Sequence, residues 1–374
     1  MTSIAAVHAV LAPHRHTQRE ITDMVARTCL PGGTDRGVLD RLHRRAQVNT
    51  RHMTLPLARY PELDDFGAVN DAFIDGAVRL GTDAVAAALK AAGLSPRDVD
   101  LLMFTSVTGI ATPSVDARIA GRLGMRPDVK RLPVFGLGCV AGAAGIARLH
   151  DYLLGRPDEV AVLVSVELCS LTFQRADAST ANLVATALFG DGAAAVVACG
   201  ARRTAGNAAT VGRGAPASGG TAQDSGEAAA GPHVVATRSR LYPDTERVMG
   251  WDITATGFRV VLDAGVPDLV RKNLAGDVDA FLTDHGLRRA DITAWVCHPG
   301  GPKVLEAVAE SLDLPAGALD LTRRSLARVG NLSSASVLHV LRDTLAERRP
   351  PAGTPGLLLA MGPGFCSELV LLRW

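Results

Sequence analysis

The sequence lacks a net charge of either sign. It has 39 lysines and arginines against 38 aspartates and glutamates, a formal net charge of +1. Such a chain has no general attraction to nucleic acids or anionic membranes. It also lacks a run of about 18 apolar residues, the length that a membrane-spanning helix needs. Its first stretch, MTSIAAVHAVLAPHRHTQREITDMV, has neither the charged start nor the cleavage site of a signal peptide. We therefore expect a cytoplasmic protein.

Paired cysteines are missing as well. The six cysteines are scattered and none forms a C-x-x-C pair, which argues against a structural metal and against a disulfide framework. Isolated cysteines in a reducing compartment are usually inert core residues. At 374 residues and 47% hydrophobic composition, the chain can form one large core or two lobes.

The order strand, helix, turn, helix, strand occurs twice. In the first copy the apolar runs VDLLMFTSV and EVAVLVSVEL enclose two helical patterns, and in the second copy ITAWVCHPGG and GLLLAMGPG do the same. Alternating strands and helices predict α/β layers with parallel pairing. The duplication predicts two similar lobes packed face to face.

The stretch from 200 to 232 divides the two copies. Glycine, alanine, serine and threonine dominate it, and it has too few large apolar residues to offset the entropy of ordering. We expect a flexible surface connection between an N-terminal lobe, 1–199, and a C-terminal lobe, 233–374.

Three polar residues lie at turns of the repeat. Cys139, in VFGLGCVAGAAG, precedes the second helix of the first copy, and Asn331 holds the equivalent place in the second. His298 follows the first strand of the second copy. If a pseudo-twofold axis relates the lobes, these side chains can converge. Each also has a plainer interpretation, as a small buried thiol, an N-cap asparagine and a histidine at a strand end.

Cysteine, histidine and asparagine together suit carbon–carbon bond formation on a thioester. A thiol just before a helix N-terminus and beside an imidazolium becomes acidic enough to accept an acyl group. Histidine and asparagine donors can stabilise the enolate formed when a malonyl thioester loses CO2. Decarboxylation itself generates the carbanion, so we expect no base such as glutamate, no metal and no organic cofactor.

Five motifs in order resemble the type III polyketide synthases, the chalcone-synthase-like family of the thiolase superfamily. They are the GC of the Cys139 turn, ALFGDGAAAVV, HPGG, GNLSSAS and MGPGF. The resemblance extends from about residue 15 to residue 374. It implies a thiolase-like duplicated αβαβα layered fold and a homodimer.

The resemblance also implies roles for residues. Cys139 would carry the acyl group, His298 would activate it, and His298 and Asn331 would bind the malonyl thioester carbonyl. The family's two phenylalanines at the cavity entrance would correspond to Phe258 and, as a departure, His233. Arg41 and Arg45, four residues apart on one helix face, would bind the CoA phosphates, or form a solvated basic face. The remaining cavity positions would be Cys169, Thr172, Ser333 and Met249.

The substrate is less constrained. SVTGIATPSVDARIAGRLGM and SVELCSLTFQRAD are similar to bacterial members such as alkylpyrone and alkylresorcinol synthases, which take fatty acyl starters. The small residues near Cys139 suit a long tunnel or a compact cavity. We expect a fatty acyl-CoA starter, repeated extension with malonyl-CoA and closure to a pyrone or resorcinol. The alternative is a tetrahydroxynaphthalene-type synthase that uses malonyl-CoA only.

Three rival functions share parts of this pattern. A ketoacyl synthase that starts fatty acid synthesis, a ketoacyl-ACP synthase III-like enzyme, also uses Cys, His and Asn but takes malonyl from an acidic carrier protein. The near-neutral charge and MGPGF argue against it. A non-catalytic scaffold would not need the three intact residues, and a thiol hydrolase would need an acidic partner that neither motif provides.

Overall fold

The computed structural model of the chain describes residues 1–30, 36–63, 65–175, 177–203 and 231–374. The α-helices of this part are α1 (Gln18–Cys29), α2 (Arg36–Arg45), α3 (Phe66–Ala91), α4 (Val115–Leu123), α5 (Ala141–Gly155), α6 (Thr180–Leu188), α7 (Val266–Thr283), α8 (Pro302–Leu312), α9 (Asp320–Val329) and α10 (Ser334–Glu347). The strands are β1 (Thr2–Leu11), β2 (His14–Thr17), β3 (Thr50–Met53), β4 (Leu101–Ser106), β5 (Lys130–Phe135), β6 (Val160–Leu168), β7 (Asp191–Cys199), β8 (His233–Leu241), β9 (Met249–Thr254), β10 (Gly257–Leu262), β11 (Ala294–Cys297), β12 (Pro355–Gly362) and β13 (Cys366–Arg373).

Within these ranges nine strands form one sheet, in the order β11-β12-β13-β8-β1-β7-β6-β4-β5. β4 pairs in parallel with β5 and β6, β11 pairs in parallel with β12, and the other neighbours are antiparallel. The halves of the sheet meet where β1 and β8 pair, at Thr2↔Val234 and Ser3↔His233. The predicted parallel pairing therefore holds inside each copy of the repeat, and antiparallel strands extend it.

Three apolar clusters show how the layers stack. In the first, α3 covers one face of β6 and β7, and in the third, α7 and α8 cover β12 and β13. The second cluster holds α5 and α10 between the two halves of the sheet. Because side chains alternate along a strand, Leu358 of β12 faces the second cluster and Leu359 the third. The result is the predicted αβαβα layering with two similar halves.

The duplicated order is visible in the elements themselves. The first copy runs β4, α4, β5, α5, β6, and the second runs β11, α8, α9, α10, β12. The sequence patterns did not predict β5 or α9. The two elements hold the same place in the order of their copies, although β5 is a strand and α9 is a helix. The predicted connection from 200 to 232 falls largely outside the described residues, and the lobe boundaries stay predictions.

The two central helices touch backbone to backbone near their first turns. A Cβ atom added to Gly142 of α5 would lie 2.2 Å from the Ser334 carbonyl oxygen and 2.7 Å from a Val337 methyl group of α10. No larger residue fits there without separating the helices. Glycine at this position therefore sets the distance between the two halves of the molecule.

Gly142→Ala should destabilise the fold by about 1–3 kcal/mol, because the added methyl group overpacks the contact between α5 and α10. Urea unfolding followed by circular dichroism measures the change.

Gly276→Ala is the matched control, since Gly276 lies on the exposed side of α7 and a Cβ there meets no atom within 4 Å. Alanine should stabilise that helix by about 0.5–1 kcal/mol. Equal effects of both substitutions would contradict the role given to Gly142.

Candidate active site

Cys139 lies at the start of the central helix α5. It belongs to a 3₁₀ turn, Gly138–Val140, which runs directly into that helix. Gly138 has a φ of +55°, and a Cβ there would lie 2.6 Å from the Pro363 ring, so this position requires glycine. The predicted helix start is confirmed, and the thiol lies near the positive end of the helix dipole.

Asn331 lies at the equivalent start of α10. Its side-chain oxygen accepts hydrogen bonds from the backbone N–H of Ser333, at 2.8 Å, and from the Ser336 hydroxyl, at 3.4 Å. The helix N-cap is Ser333 rather than Asn331. With the oxygen occupied, the amide NH2 is directed away from the helix and donates to the Gly300 carbonyl at 3.5 Å.

His298 follows the last residue of β11. Its backbone N–H still donates to the Leu359 carbonyl at 3.0 Å, so the sheet fixes its position. Its ring is buried, and neither ring nitrogen has a hydrogen-bond partner among the described residues. A histidine that capped the strand would use a ring nitrogen, and this ring caps no group of the described residues.

Asn331 lies between the elements that carry the other two residues. Its amide is near enough to the Cys139 thiol to oppose the rise of that thiol's pKa, though less than the Ser333 hydroxyl does. The amide also donates to the carbonyl of Gly300, two residues beyond His298. The Cys139 thiol in turn lies 3.6 Å from the Ser333 hydroxyl. The starts of α5 and α10 thus meet beside the end of β11, as the duplication predicts.

Burial acts on both titratable groups of this site. It raises the pKa of the Cys139 thiol to about 12 and lowers the pKa of the His298 imidazole to about 3. Burial therefore disfavours the thiolate and the imidazolium when each stands alone. A proton passed from the thiol to the imidazole creates both charges at once and adds no net charge to the site. The predicted thiolate–imidazolium pair depends on that transfer.

A buried carboxyl group close to Cys139 was not expected. Glu167, on β6, accepts hydrogen bonds from the Val107 backbone at 3.1 Å, the Thr108 hydroxyl at 3.1 Å and the Ser334 hydroxyl at 2.5 Å. Burial raises the pKa of its carboxyl to about 7, and its charge contributes to the raised pKa of Cys139. The expectation that no acidic group lies near the motifs is therefore wrong. A glutamate inside the apolar run EVAVLVSVEL was the available signal.

Aromatic side chains border the site. We call Phe66, Phe135, Phe189, Trp251 and Phe258 the aromatic cluster. Ring centroids are 5.5 Å apart for Phe66 and Phe258, 6.2 Å for Phe135 and Phe258, 6.5 Å for Trp251 and Phe258, and 6.4 Å for Phe189 and Trp251. The cluster runs from the end of β5, just before the Cys139 turn, to Phe189, which forms a β-bridge with Asn331.

The cluster contains Phe258, whose role at a cavity entrance stays a prediction, and it does not contain the other predicted entrance residue, His233. His233 pairs with Ser3 and Arg373, at one end of the strands. The Cys139 turn contacts the junction of β12 and β13, which lies at the opposite end. The assignment of His233 to the cavity is therefore wrong. Phe189, inside the motif ALFGDGAAAVV, lies at the site instead and was missed.

The other predicted cavity positions lie in the 3₁₀ turn after β6, on β9 and just before α10, and their cavity roles stay predictions. Cys169 and Thr172 are buried in that turn, where burial, and to a smaller degree the charge of Cys139, raises the pKa of the Cys169 thiol. Met249 begins β9 and shares a face of the β9–β10 hairpin with Trp251. Ser333 has a φ of +46°, a left-handed backbone conformation that disfavours any residue except glycine.

The two proposed CoA ligands are exposed. Arg41 and Arg45 lie four residues apart on one face of α2, and neither forms an ion pair within the described residues. Their binding of CoA phosphates stays a prediction. None of the helices in the described ranges combines the length and apolar composition that crossing a bilayer needs.

Family models of chalcone and stilbene synthases match most of the chain. The N-terminal domain model matches residues 3–202 and the C-terminal domain model residues 233–374. The solved structure of a bacterial type III polyketide synthase, 1,3,6,8-tetrahydroxynaphthalene synthase from Streptomyces coelicolor A3(2), superposes with a TM-score of 0.87. It is 29% identical in sequence, and the match covers 100% of this chain and 99% of that one.

Two further relatives carry the same activity in their names. A 1,3,6,8-tetrahydroxynaphthalene synthase from Streptomyces peucetius subsp. caesius is 59% identical over 374 residues, covering 100% of this chain and 93% of that protein. The enzyme of that name from Streptomyces griseus is 30% identical over 368 residues, covering 98% and 91%.

His298→Gln should slow the alkylation of Cys139 by iodoacetamide at pH 7 by about tenfold or more. Without the imidazole as proton acceptor, burial alone sets the high pKa of the thiol. Alkylation of the variant should then keep rising with pH above neutral, whereas the unmodified chain should already be near its plateau. Mass spectrometry of the Cys139 peptide over a range of pH measures both rates.

Cys169 and Cys297 serve as internal controls, because both are buried and burial raises the pKa of each thiol. If they react as fast as Cys139 in the unmodified chain, Cys139 is not an activated thiolate.

Proposed function

Because the chain belongs to the chalcone and stilbene synthase family, we propose that it builds a tetrahydroxynaphthalene-type product from malonyl-CoA alone. It is a type III polyketide synthase, an acyltransferase that works by decarboxylative Claisen condensation. The choice of malonyl-CoA as both starter and extender is the proposal. It is supported by the 59% identical relative and by the packing around Cys139.

The site residues divide the reaction between them. Cys139 passes its proton to His298, attacks a malonyl thioester and releases CoA, so a new thioester replaces the old one. For each extension, His298 and the Asn331 amide hold the carbonyl oxygen of an incoming malonyl thioester. The bond to its carboxylate breaks, CO2 leaves, and the electron pair forms an enolate that these donors stabilise. The enolate carbon then attacks the acyl carbonyl on Cys139, the bond between that carbon and the Cys139 sulfur breaks, and the sulfur leaves as thiolate. The lengthened chain is now a CoA thioester, and Cys139 takes it up again, releasing CoA, before the next extension.

Three glycines near Cys139 leave no space for an acyl chain, whereas a Cβ on Gly136 would meet no atom within 4 Å. A Cβ on Gly138 would meet the Pro363 ring at 2.6 Å, one on Gly142 the Ser334 carbonyl at 2.2 Å, and one on Gly145 a Leu163 methyl group at 2.6 Å. The protein's own atoms occupy the volume that these small residues leave. This packing is the observation that carries the preference for a short starter, because these three small residues suited a long tunnel and a compact cavity equally well, and the close packing favours the compact cavity.

The predicted homodimer has one observation in its favour. β5 is an edge strand of the sheet, and its side chains Leu132 and Phe135 are 43% and 50% exposed. Unpaired edge strands with apolar side chains are where a second chain can pair. Dimerisation and the binding of CoA by Arg41 and Arg45 stay predictions.

The purified protein should consume malonyl-CoA without any added starter or carrier protein, and release a product with the mass and absorption spectrum of tetrahydroxynaphthalene or its oxidised form. Adding acyl-CoA starters from acetyl to stearoyl should not be required for turnover. Liquid chromatography with mass spectrometry identifies the products.

Cys139→Ala is the negative control for this assay and should release no product. Turnover that depends on a long acyl-CoA would restore the alkylpyrone or alkylresorcinol function. Turnover that requires malonyl on an acyl carrier protein and stops after one condensation would favour a ketoacyl synthase.

A further inference from the structure

A fully buried arginine lies behind the site. Arg51, on β3, has no exposed surface, and it forms no ion pair among the described residues. Its Nε and Nη2 atoms have no hydrogen-bond partner there. The buried Asp191 carboxylate is near enough for the two charges to act on each other, but no ion pair or hydrogen bond joins it to Arg51. Burying a charge without a direct partner is costly. An apolar side chain would fill this part of the core at a lower cost in free energy. The hydrogen bond that Arg51 does form therefore indicates a role beyond packing.

That hydrogen bond reaches the strand segment that holds Asn331. Nη1 of Arg51 donates to the Phe189 carbonyl at 2.8 Å. The residues on either side of Phe189 bind the backbone of Asn331: Asn331 N–H donates to the Leu188 carbonyl at 2.8 Å, and Gly190 N–H donates to the Asn331 carbonyl at 3.0 Å. The guanidinium therefore holds Phe189 in place, and Phe189 is the β-bridge partner of Asn331.

The aliphatic part of Arg51 supports the same place. A Cβ on Gly330, the residue before Asn331, would lie 3.0 Å from both Cγ and Cδ of Arg51. Gly330 has a φ of +75°, so the chain turns there against the arginine side chain. One side chain thus bonds Phe189 and packs against Gly330, the residue before the bridge partner Asn331.

We propose that Arg51 is a positioning residue that sets the place of the Asn331 amide through Phe189 and Gly330. It touches neither substrate nor the reacting atoms. The catalytic part of this inference rests on the proposed function, because that function gives Asn331 its task. Cys139 and His298 are placed by α5 and β11, so loss of Arg51 should affect malonyl decarboxylation more than the reactivity of the thiol.

The test compares two variants of the full-length protein. Arg51→Met keeps the aliphatic contact with Gly330 and removes the donor to Phe189. We expect a roughly ten- to hundredfold lower kcat for CO2 release from malonyl-CoA, since small displacements of a positioned group cost that much. Alkylation of Cys139 should change less than about threefold. Arg51→Lys keeps a cationic donor and should recover part of the decarboxylation rate.

His52→Ala is the matched control on the same strand. The His52 ring bonds the Ala12 carbonyl at 2.7 Å, so this variant weakens the anchoring of β3 without touching Phe189 or Gly330. It should lower the unfolding midpoint and leave kcat unchanged. If kcat per folded molecule is normal in Arg51→Met, or falls equally in His52→Ala, the proposal is overturned.

A crystal structure of Arg51→Met tests the geometry without relying on turnover, with Arg51→Lys in its place if the first variant does not fold. Displacement of residues 329–331 supports the proposal, and an unmoved Asn331 amide refutes it. Absence of malonyl decarboxylation in the unmodified protein would instead refute the proposed function.

Discussion

The contact between Gly142 and the Ser334 carbonyl determines how the two halves of this molecule meet. At 2.2 Å from a hypothetical Cβ, it leaves no room for a side chain between α5 and α10. Both helices begin at this contact, so the residues just before them, Cys139 and Asn331, necessarily become neighbours. The active site is therefore a product of helix packing at the duplication axis, and only its third member, His298, comes from a strand.

The same packing buries the site, and burial determines its electrostatics. Burial shifts the pKa of Cys139 up, that of His298 down and that of Glu167 up, in each case toward the neutral form. Such a site accommodates charge most easily when a negative and a positive charge form together within it, because no net charge is then buried. A malonyl carboxylate that enters as an anion and leaves as neutral CO2 suits such surroundings, because the charge moves to an oxygen that the site's own donors can hold.

Much of this fold could be predicted from the sequence, because a duplication shows itself in the order of elements and because buried strands and helices have strong patterns. The three central residues were found for the same reason, as each marks a repeated turn. Glu167, Phe189 and Arg51 were missed because their importance depends on long-range contacts that no local pattern records. The sequence left the small residues around Cys139 compatible with a long tunnel or with a compact cavity, and the close packing of Gly138, Gly142 and Gly145 appears only in the structure. Sequence shows that a side chain is small, and only packing shows what fills the space.

Ser333 illustrates a different kind of constraint. Its backbone has a φ of +46°, where glycine would be more comfortable, yet its hydroxyl lies 3.6 Å from the Cys139 thiol. At this one residue the requirements of folding and of chemistry point to different amino acids. Selection for thermal stability alone would favour glycine at this position, and the Cys139 thiol would lose the hydroxyl of Ser333 as a hydrogen-bond partner. Attempts to stabilise the enzyme by consensus or by computation should therefore hold this position fixed.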